Sequence, residues 1–345
     1  DFDQDGDIDL SVAIRAKPFS YGLPMNIYIL ENDGKGKFTN VTEDKAPTLI
    51  EKGLITSLAW ADLNGDKFPE LIIAGEWLPL TVMINEQGTF KESIESRLES
   101  GYPSGLDETH GFWSCLTLAD IDQDGDMDIV AGNHGLNTRF KPKENRPITM
   151  HVNDFDQNGT LEQIVSVPNS GDTYPLVLRH DLVKQMPILK KKYLKYGSYK
   201  EQTVTDIFSE AQLKGAVTWE AKEMRSMVFL NDGKGHFSEK PLPIEAQYAP
   251  LKTLLAEDVD GDGTIDLVAG GNFMEAKPET GIYAATYGLF LKGLGDGTFA
   301  FVPNRKTGLL VKGAMRDLVW LEQENAKRLL VLKNDAKAQV FEIVK

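Results

Sequence analysis

The chain has 345 residues, 41% of them hydrophobic, with 52 acidic against 37 basic side chains and a formal net charge of −15. That balance argues against nucleic acid as a partner, and no apolar run approaches the 18 or so residues of a membrane-crossing helix. Cys115 is the only cysteine, so no intrachain disulfide can form; it stands in the apolar run 112–118 and reads as a core residue.

The chain opens on an acidic loop, Asp1-x-Asp3-x-Asp5-Gly6-Asp7-x-Asp9, followed at once by the apolar stretch 10–13. Asp62, Asn64, Asp66, Phe68 and Glu70 form a weaker second copy, its glycine shifted by two to Gly65. Asp120, Asp122, Asp124, Asp126 and Asp128 repeat the full pattern. Asp154, Asp156, Asn158, Thr160 and Glu162 are a softer copy. Asp258, Asp260, Asp262, Thr264 and Asp266, with Gly261 and Gly263, close the series before the strand-like run 267–271.

Side chains one, three and five residues along a tight loop converge on a point, and crowded carboxylates repel unless a hard cation neutralises them. Calcium suits such a site, because it takes six to eight oxygens in a flexible geometry. The expectation is up to five Ca²⁺ ions. Positions 1, 3, 5 and 9 bind through side chains. Position 7 (Asp7, Phe68, Asp126, Thr160, Thr264) gives its backbone carbonyl. The two copies with Asn and a terminal Glu are expected to bind more weakly.

An EF-hand would need a bidentate Glu at position 12, where this chain has Val12, Ile73, Ala131, Val165 and Ala269. The tandem calcium nonapeptide is excluded because the copies are dispersed.

Between the loops run glycine hairpins at 31–38, 85–90, 231–237 and 295–299, whose Asn-Asp-Gly and Asp-Gly steps supply positive φ. The aromatic residue after each turn (Phe38, Phe90, Phe237, Phe299) is expected in the core. Six repeats follow: about 1–50, 51–105, 106–147, 148–247, 248–303 and 304–345. The third is short, and the first begins inside a repeat, so the chain reads as a fragment or processed product of a ring with six or seven repeats.

The fourth repeat carries an insertion near 180–215, where the period changes to about 3.6 and Val204, Ile207, Phe208 and Ala211 share a face. Thr203 with Asp206 reads as a capping box. Lys184, Lys190, Lys191, Lys192, Lys195 and Lys200 make a basic patch there, open to a solvated face or to docking of an acidic partner, glycan or lipid head group.

Asp-x-Asp-x-Asp-Gly-x-x-Asp before a strand resembles the FG-GAP/VCBS repeat of integrin α-type β-propellers, over nearly the whole chain. The run 131–160 is similar to the large surface or secreted VCBS proteins of Bacteroidetes, without a separate ASPIC/UnbV segment. The resemblance implies an all-β fold: one β-propeller domain over 1–345, of six to seven four-stranded blades, with calcium loops and a helical insertion in one blade. It also implies that each loop joins the innermost strand of a blade to the second. The far ends of the second strands then meet around the channel on the opposite face.

Arg15, Glu76, His134, Pro168 and Asn272 fall there, with Trp77, Asn133, Asn137, Arg139, Phe273 and Glu275 beside them. Such a polar and aromatic rim suits a protein or glycan ligand. The function expected is non-catalytic binding outside the cell, at a Gram-negative cell surface or in the periplasm. Peripheral association with the outer membrane would run through the rest of the chain. An enzyme acting on polysaccharide through the rim, or a purely structural module, remains open. His110 with Asp107 and Glu108 is the other acid-base grouping.

Overall fold

The computed structural model describes residues 1–92, 106–169, 171–277, 281–323 and 326–343. Among them the chain is mostly β, in six antiparallel sheets. β1 (Leu10–Ala13), β2 (Ile27–Asn32) and β3 (Phe38–Asn40) form the first. β4 (Leu54–Ala61), β5 (Glu70–Leu78), β6 (Thr81–Glu86) and β7 (Thr89–Glu92) form the second, and β8 (Gly111–Phe112) pairs with the far end of β5.

β9 (Cys115–Ala119) and β10 (Asp128–Gly132) begin a third sheet, but the chain leaves it there. It first builds β11 (Ile148–Asn153), β12 (Glu162–Asn169), β13 (Asp172–Pro175) and β14 (Val217–Ala221), ordered β13-β12-β11-β14. β15 (Met227–Asn231) then returns to pair with β10, and β16 (Phe237–Pro241) completes the third sheet. β17 (Leu251–Glu257), β18 (Asp266–Gly271), β19 (Leu289–Gly293) and β20 (Phe299–Val302) follow in regular order. β21 (Met315–Gln323), β22 (Ala326–Lys333) and β23 (Gln339–Glu342) form the last sheet.

The core lies between sheets. One apolar cluster joins the first and second sheets through Phe2, Ile29, Leu71 and Phe90. A second joins the second and third through Leu63, Ile72, Trp113 and Phe229. Two more continue across β17–β20 to the last sheet. β1 lies against β4, β4 against β9, β9 against β17, and β17 against β21. Stacked four-stranded sheets with contiguous inner strands are consistent with propeller blades.

Two expectations change. The hairpin 231–237 belongs to the third sheet and not to a fourth repeat, so the third repeat is interrupted rather than short. The inserted sheet is a separate layer: Ile148, Met150 and Val152 alternate inward and pack on Leu54 of β4, Trp77 of β5 and Met224 before β15. The second repeat runs into 93–105, which lies outside the described residues.

The insertion is helical as expected, in short pieces: α-helices at Arg179–Gln185, Tyr196–Tyr199, Val204–Ile207 and Glu210–Lys214. They cover the other face of the inserted sheet through Leu182, Tyr193, Val204, Ile207 and Phe208. The Thr203–Asp206 capping box forms, but a second box at Ser209–Gln212 starts a new helix and leaves Ala211 exposed. The six lysines of the patch are all exposed. Phe90 and Phe299 are buried after their hairpins, whereas Phe38 is 41% exposed on the outer strand β3.

Candidate functional sites: acidic loops and a cavity at the opposite strand ends

All five acidic loops follow one backbone path. Positions 4 and 6 both have positive φ: Gln4 and Gly6, Gly65 and Lys67, Gln123 and Gly125, Gln157 and Gly159, Gly261 and Gly263. Glycine takes such φ freely, and other residues at some cost. The shifted glycine of the second loop therefore serves position 4, while Lys67 accepts φ +79° at position 6.

The same hydrogen bonds recur. The position 1 carboxylate accepts the position 6 N–H in each loop, at 2.8–3.2 Å. The position 5 side chain accepts the position 7 N–H, at 2.8–3.0 Å. Position 9 accepts the position 2 N–H, at 2.8–3.1 Å.

Position 9 has a second task. The other oxygen of Asp9, Asp128 and Asp266 accepts the N–H of Asn32, Asn231 and Gly293, at the ends of β2, β15 and β19. Glu70, Asp128, Glu162 and Asp266 are fully buried. Burial pushes Glu70 up to about 7 and Asp128 up to about 6, against the opposing backbone donors. These carboxylates lock loop to sheet, a role that sequence spacing alone does not separate from ligation.

Carboxylate oxygens lie within 4.8 Å of one another in four loops: Asp1, Asp3 and Asp5; Asp120, Asp122 and Asp128; Asp154, Asp156 and Glu162; Asp258, Asp260 and Asp262. Buried oxygens of Asp3, Asp120, Asp122, Asp156 and Glu162 have no hydrogen-bond partner among the described residues. Hard, unpartnered, converging oxygens fit Ca²⁺. The residues that would hold it are these sets.

Among the described residues the second loop makes no such acidic group. Asn64 brings an amide to position 3 in place of a carboxylate and donates Nδ2 to Glu70 Oε1 at 3.1 Å. Lysines reach two of the converging sets. Lys292 bridges Asp260 and Asp262, the latter at 2.8 Å, and Lys45 bonds Asp3 at 3.1 Å and Glu31 at 2.6 Å. These are the loops that gather positions 1, 3 and 5, whereas the other two gather 1, 3 and 9. Asp124, Asp66, Asp9 and Asp266 stand outside these acidic groups, while Asn158 Oδ1 accepts from the N–H and the hydroxyl of Thr160. The side chains of Asp7 and Asp126 face the hairpin glycines Gly34 and Gly233, where a Cβ would collide with their carboxylates.

At the opposite strand ends lies a cavity of about 750 Å³. Its wall includes the bulge residue of three inner strands. The register of β4, β17 and β21 skips Thr56, Lys252 and Arg316, and each lines the cavity. A bulge adds one unpaired residue and re-aims its side chain. Met150, Gln163 and Val165 of the inserted sheet close another side.

Arg15 grips Glu76 with bonds of 2.7 and 2.9 Å. Tyr21 donates to Glu76 at 2.8 Å and accepts from Trp77 Nε1 at 3.1 Å. Lys252 has no hydrogen-bond or ion-pair partner among the described residues, and burial lowers its pKa. His134 is ringed by Tyr283, Phe140 and Phe112 at 4.7, 5.5 and 5.8 Å between centroids. Its Nε2 is buried and has no partner among the described residues. Burial, then the Lys252 charge, pushes its pKa down to about 4, so the imidazole is neutral at pH 7.

Of the expected rim, Arg15, Glu76, Trp77, His134 and Phe273 meet here. Trp77 is 3% exposed and packs the inserted sheet, so it is a core residue as much as a wall. Asn133 and Asn272 are buried braces: Asn133 Oδ1 accepts from Phe112 and His134, and Asn272 Nδ2 donates to Thr286 and Gly313. Asn137 and Arg139 are exposed beyond the wall. Glu275 accepts from Asn334 at 2.7 Å and lies 3.7 Å from Arg316. Pro168 belongs to the inserted sheet. Glu108 is paired with Lys222 at 2.5 Å, apart from the cavity. Thr56, Lys252 and Arg316 carry no signal in the sequence, because bulges have no residue signature; only an alignment of the inner-strand starts could flag them, and Tyr21 stands in the turn between β1 and β2.

Residues 1–73 and 62–131 match the model of the FG-GAP-like repeat. No curated protein matches the chain. The crystal structure of BBS1N in complex with ARL6DN, soaked with lead, aligns over 90% of this chain and 71% of that chain, at 10% identity and a TM-score of 0.27. At that score the likeness carries no argument.

Proposed function

We propose that this FG-GAP repeat chain is a non-catalytic binding module built as a calcium-supported β-propeller. Its acidic loops brace one face, and it holds a protein or glycan ligand in the axial cavity at the other. The observation that carries the reading is the cavity itself. Side chains from five blade-like sheets converge on it, with the Lys252 ammonium and His134 Nε2 left unpartnered in its wall. A volume of about 750 Å³ with mixed aromatic and polar lining is in the range of ligand pockets.

Binding is favoured over acid-base chemistry because Glu76 is fully engaged by Arg15 and Tyr21. Calcium modules outside cells bind at about 10⁻⁴–10⁻³ M. Sites of that strength fill where calcium is plentiful, which supports an extracellular, cell-surface or periplasmic setting, with peripheral attachment to the outer membrane.

The test is a glycan and peptide array probed with the whole chain in calcium and in EDTA, repeated with Lys252→Met and Arg15→Ala. Ligands lost in both variants while the melting curve is kept support the reading. Array binding unchanged in both variants removes the cavity as the site.

A further inference from the structure

The inserted sheet has a second pocket on its outer face, on the side away from the axial cavity. It encloses about 330 Å³. Thr149 and Ser166 are direct cross-strand partners on β11 and β12, Glu220 on β14 stands opposite Thr149, and His151 lies two residues along β11. Alternation puts all four on one face, while Met150 and Val165, one residue over, face the axial cavity. Thr203, Val204 and Thr205 of the helical insertion form the facing wall.

Three polar atoms in this pocket are buried without a partner among the described residues: Arg146 Nη1, His151 Nδ1 and Ser166 Oγ. Ser166 is 0% exposed. A buried polar atom left without a bond costs roughly 1–3 kcal/mol, and native structures hold few of them. Three from separate positions in one pocket indicate a polar occupant.

The charge of the wall narrows its class. Arg146 is offset by Asp172 and Glu220, so there is no surplus positive charge to select an anion. Guanidinium and hydroxyl donors stand beside carboxylate acceptors, which suits an occupant whose every group both donates and accepts. That is the chemistry of a neutral polyhydroxylated ring. A second pocket of about 350 Å³ shares Asn145, Arg146 and Pro147 and continues toward Glu108, Lys143 and Lys222. The site therefore extends past one ring.

We propose that the outer face of the inserted sheet is a carbohydrate site: one neutral sugar ring sits among Arg146, His151 and Ser166, and the next ring of the chain passes over Arg146 toward Lys222. The site is separate from the axial cavity and stands or falls without it.

The experiment is titration calorimetry of the whole chain in calcium with four neutral tetrasaccharides (cello-, manno-, xylo- and laminaritetraose), and with sodium sulfate as an anion probe. Variants are Ser166→Val, which keeps the shape of a strand residue, Arg146→Met, which sits outside the strands and spares the fold, and Lys252→Met as a control in the axial cavity. The expected result is binding of at least one tetrasaccharide, weakened roughly tenfold or more by Ser166→Val and by Arg146→Met and unchanged by Lys252→Met. No heat with any of the four, binding indifferent to both pocket variants, or sulfate binding lost in Arg146→Met overturns the proposal. Binding lost only in Lys252→Met overturns it too, while supporting the axial reading.

Discussion

Asn231, at the end of β15, donates Nδ2 to the carbonyl of Leu63 in the neighbouring acidic loop at 2.8 Å, and to Met127 of its own loop at 3.4 Å. Asn85 does the same one sheet earlier, to Phe2 at 2.7 Å and Pro69 at 3.0 Å. One buried amide thus seams two loops together. Replacing it strands two carbonyls in a site that is 3% exposed. Asn231→Ala should cost about 1–3 kcal/mol, read as a lower midpoint in urea with an unchanged slope. An unchanged midpoint would show that the seam carries no stability.

Calcium should raise the melting temperature above that in EDTA. Each site held at tenfold excess adds about 1.4 kcal/mol. Asp122→Ala, in a converging set, should remove part of that gain, whereas Asp66→Ala, in the loop without one, should leave it whole. Equal losses in the two variants would mean that convergence does not decide which loops bind.

Lys292 stands in for a cation between Asp260 and Asp262, and the contact raises its own pKa and lowers that of Asp262. Lys292→Met should therefore melt earlier in EDTA, where the carboxylates repel, and regain more of its stability on adding calcium than the parent does. The same calcium increment in both proteins would refute the substitution of ammonium for metal.

His134 sets a pH dependence. Its folded pKa of about 4 lies below the unfolded value of about 6.5. Between these values the unfolded chain binds the extra proton, so stability falls as pH drops from about 6.5 toward 4. The part due to His134 is up to about 3 kcal/mol. Urea midpoints across that range should slope less in His134→Gln than in the parent. Parallel slopes would assign the dependence to other groups.

The loops were legible in the sequence because their chemistry is local. Nine residues carry the turn, the carboxylates and the entry to the next strand. The helical insertion was legible through its period, though Ser209 restarts the helix two residues after Ile207 and no face could reveal that. The return of β15 to β10 was not legible, because it joins residues separated by an entire inserted sheet. Nor could spacing tell that Asp128 and Asp266 lock the loops from within, or that Thr56, Lys252 and Arg316 are bulged and line one cavity. These are properties of pairing between distant strands, and residue types do not record them.

Ala131 and Met227 are register partners on β10 and β15. The two ends of the inserted segment therefore meet on one rung of a ladder, roughly 5 Å apart. A segment whose ends touch can be cut out and its host closed with a two-residue hairpin turn, or carried into another hairpin of the same geometry. The stretch between those residues carries the inserted sheet, its helices and the outer pocket, together with His134 and Phe140 of the cavity wall, and the host sheet would keep both of its outer strands without it.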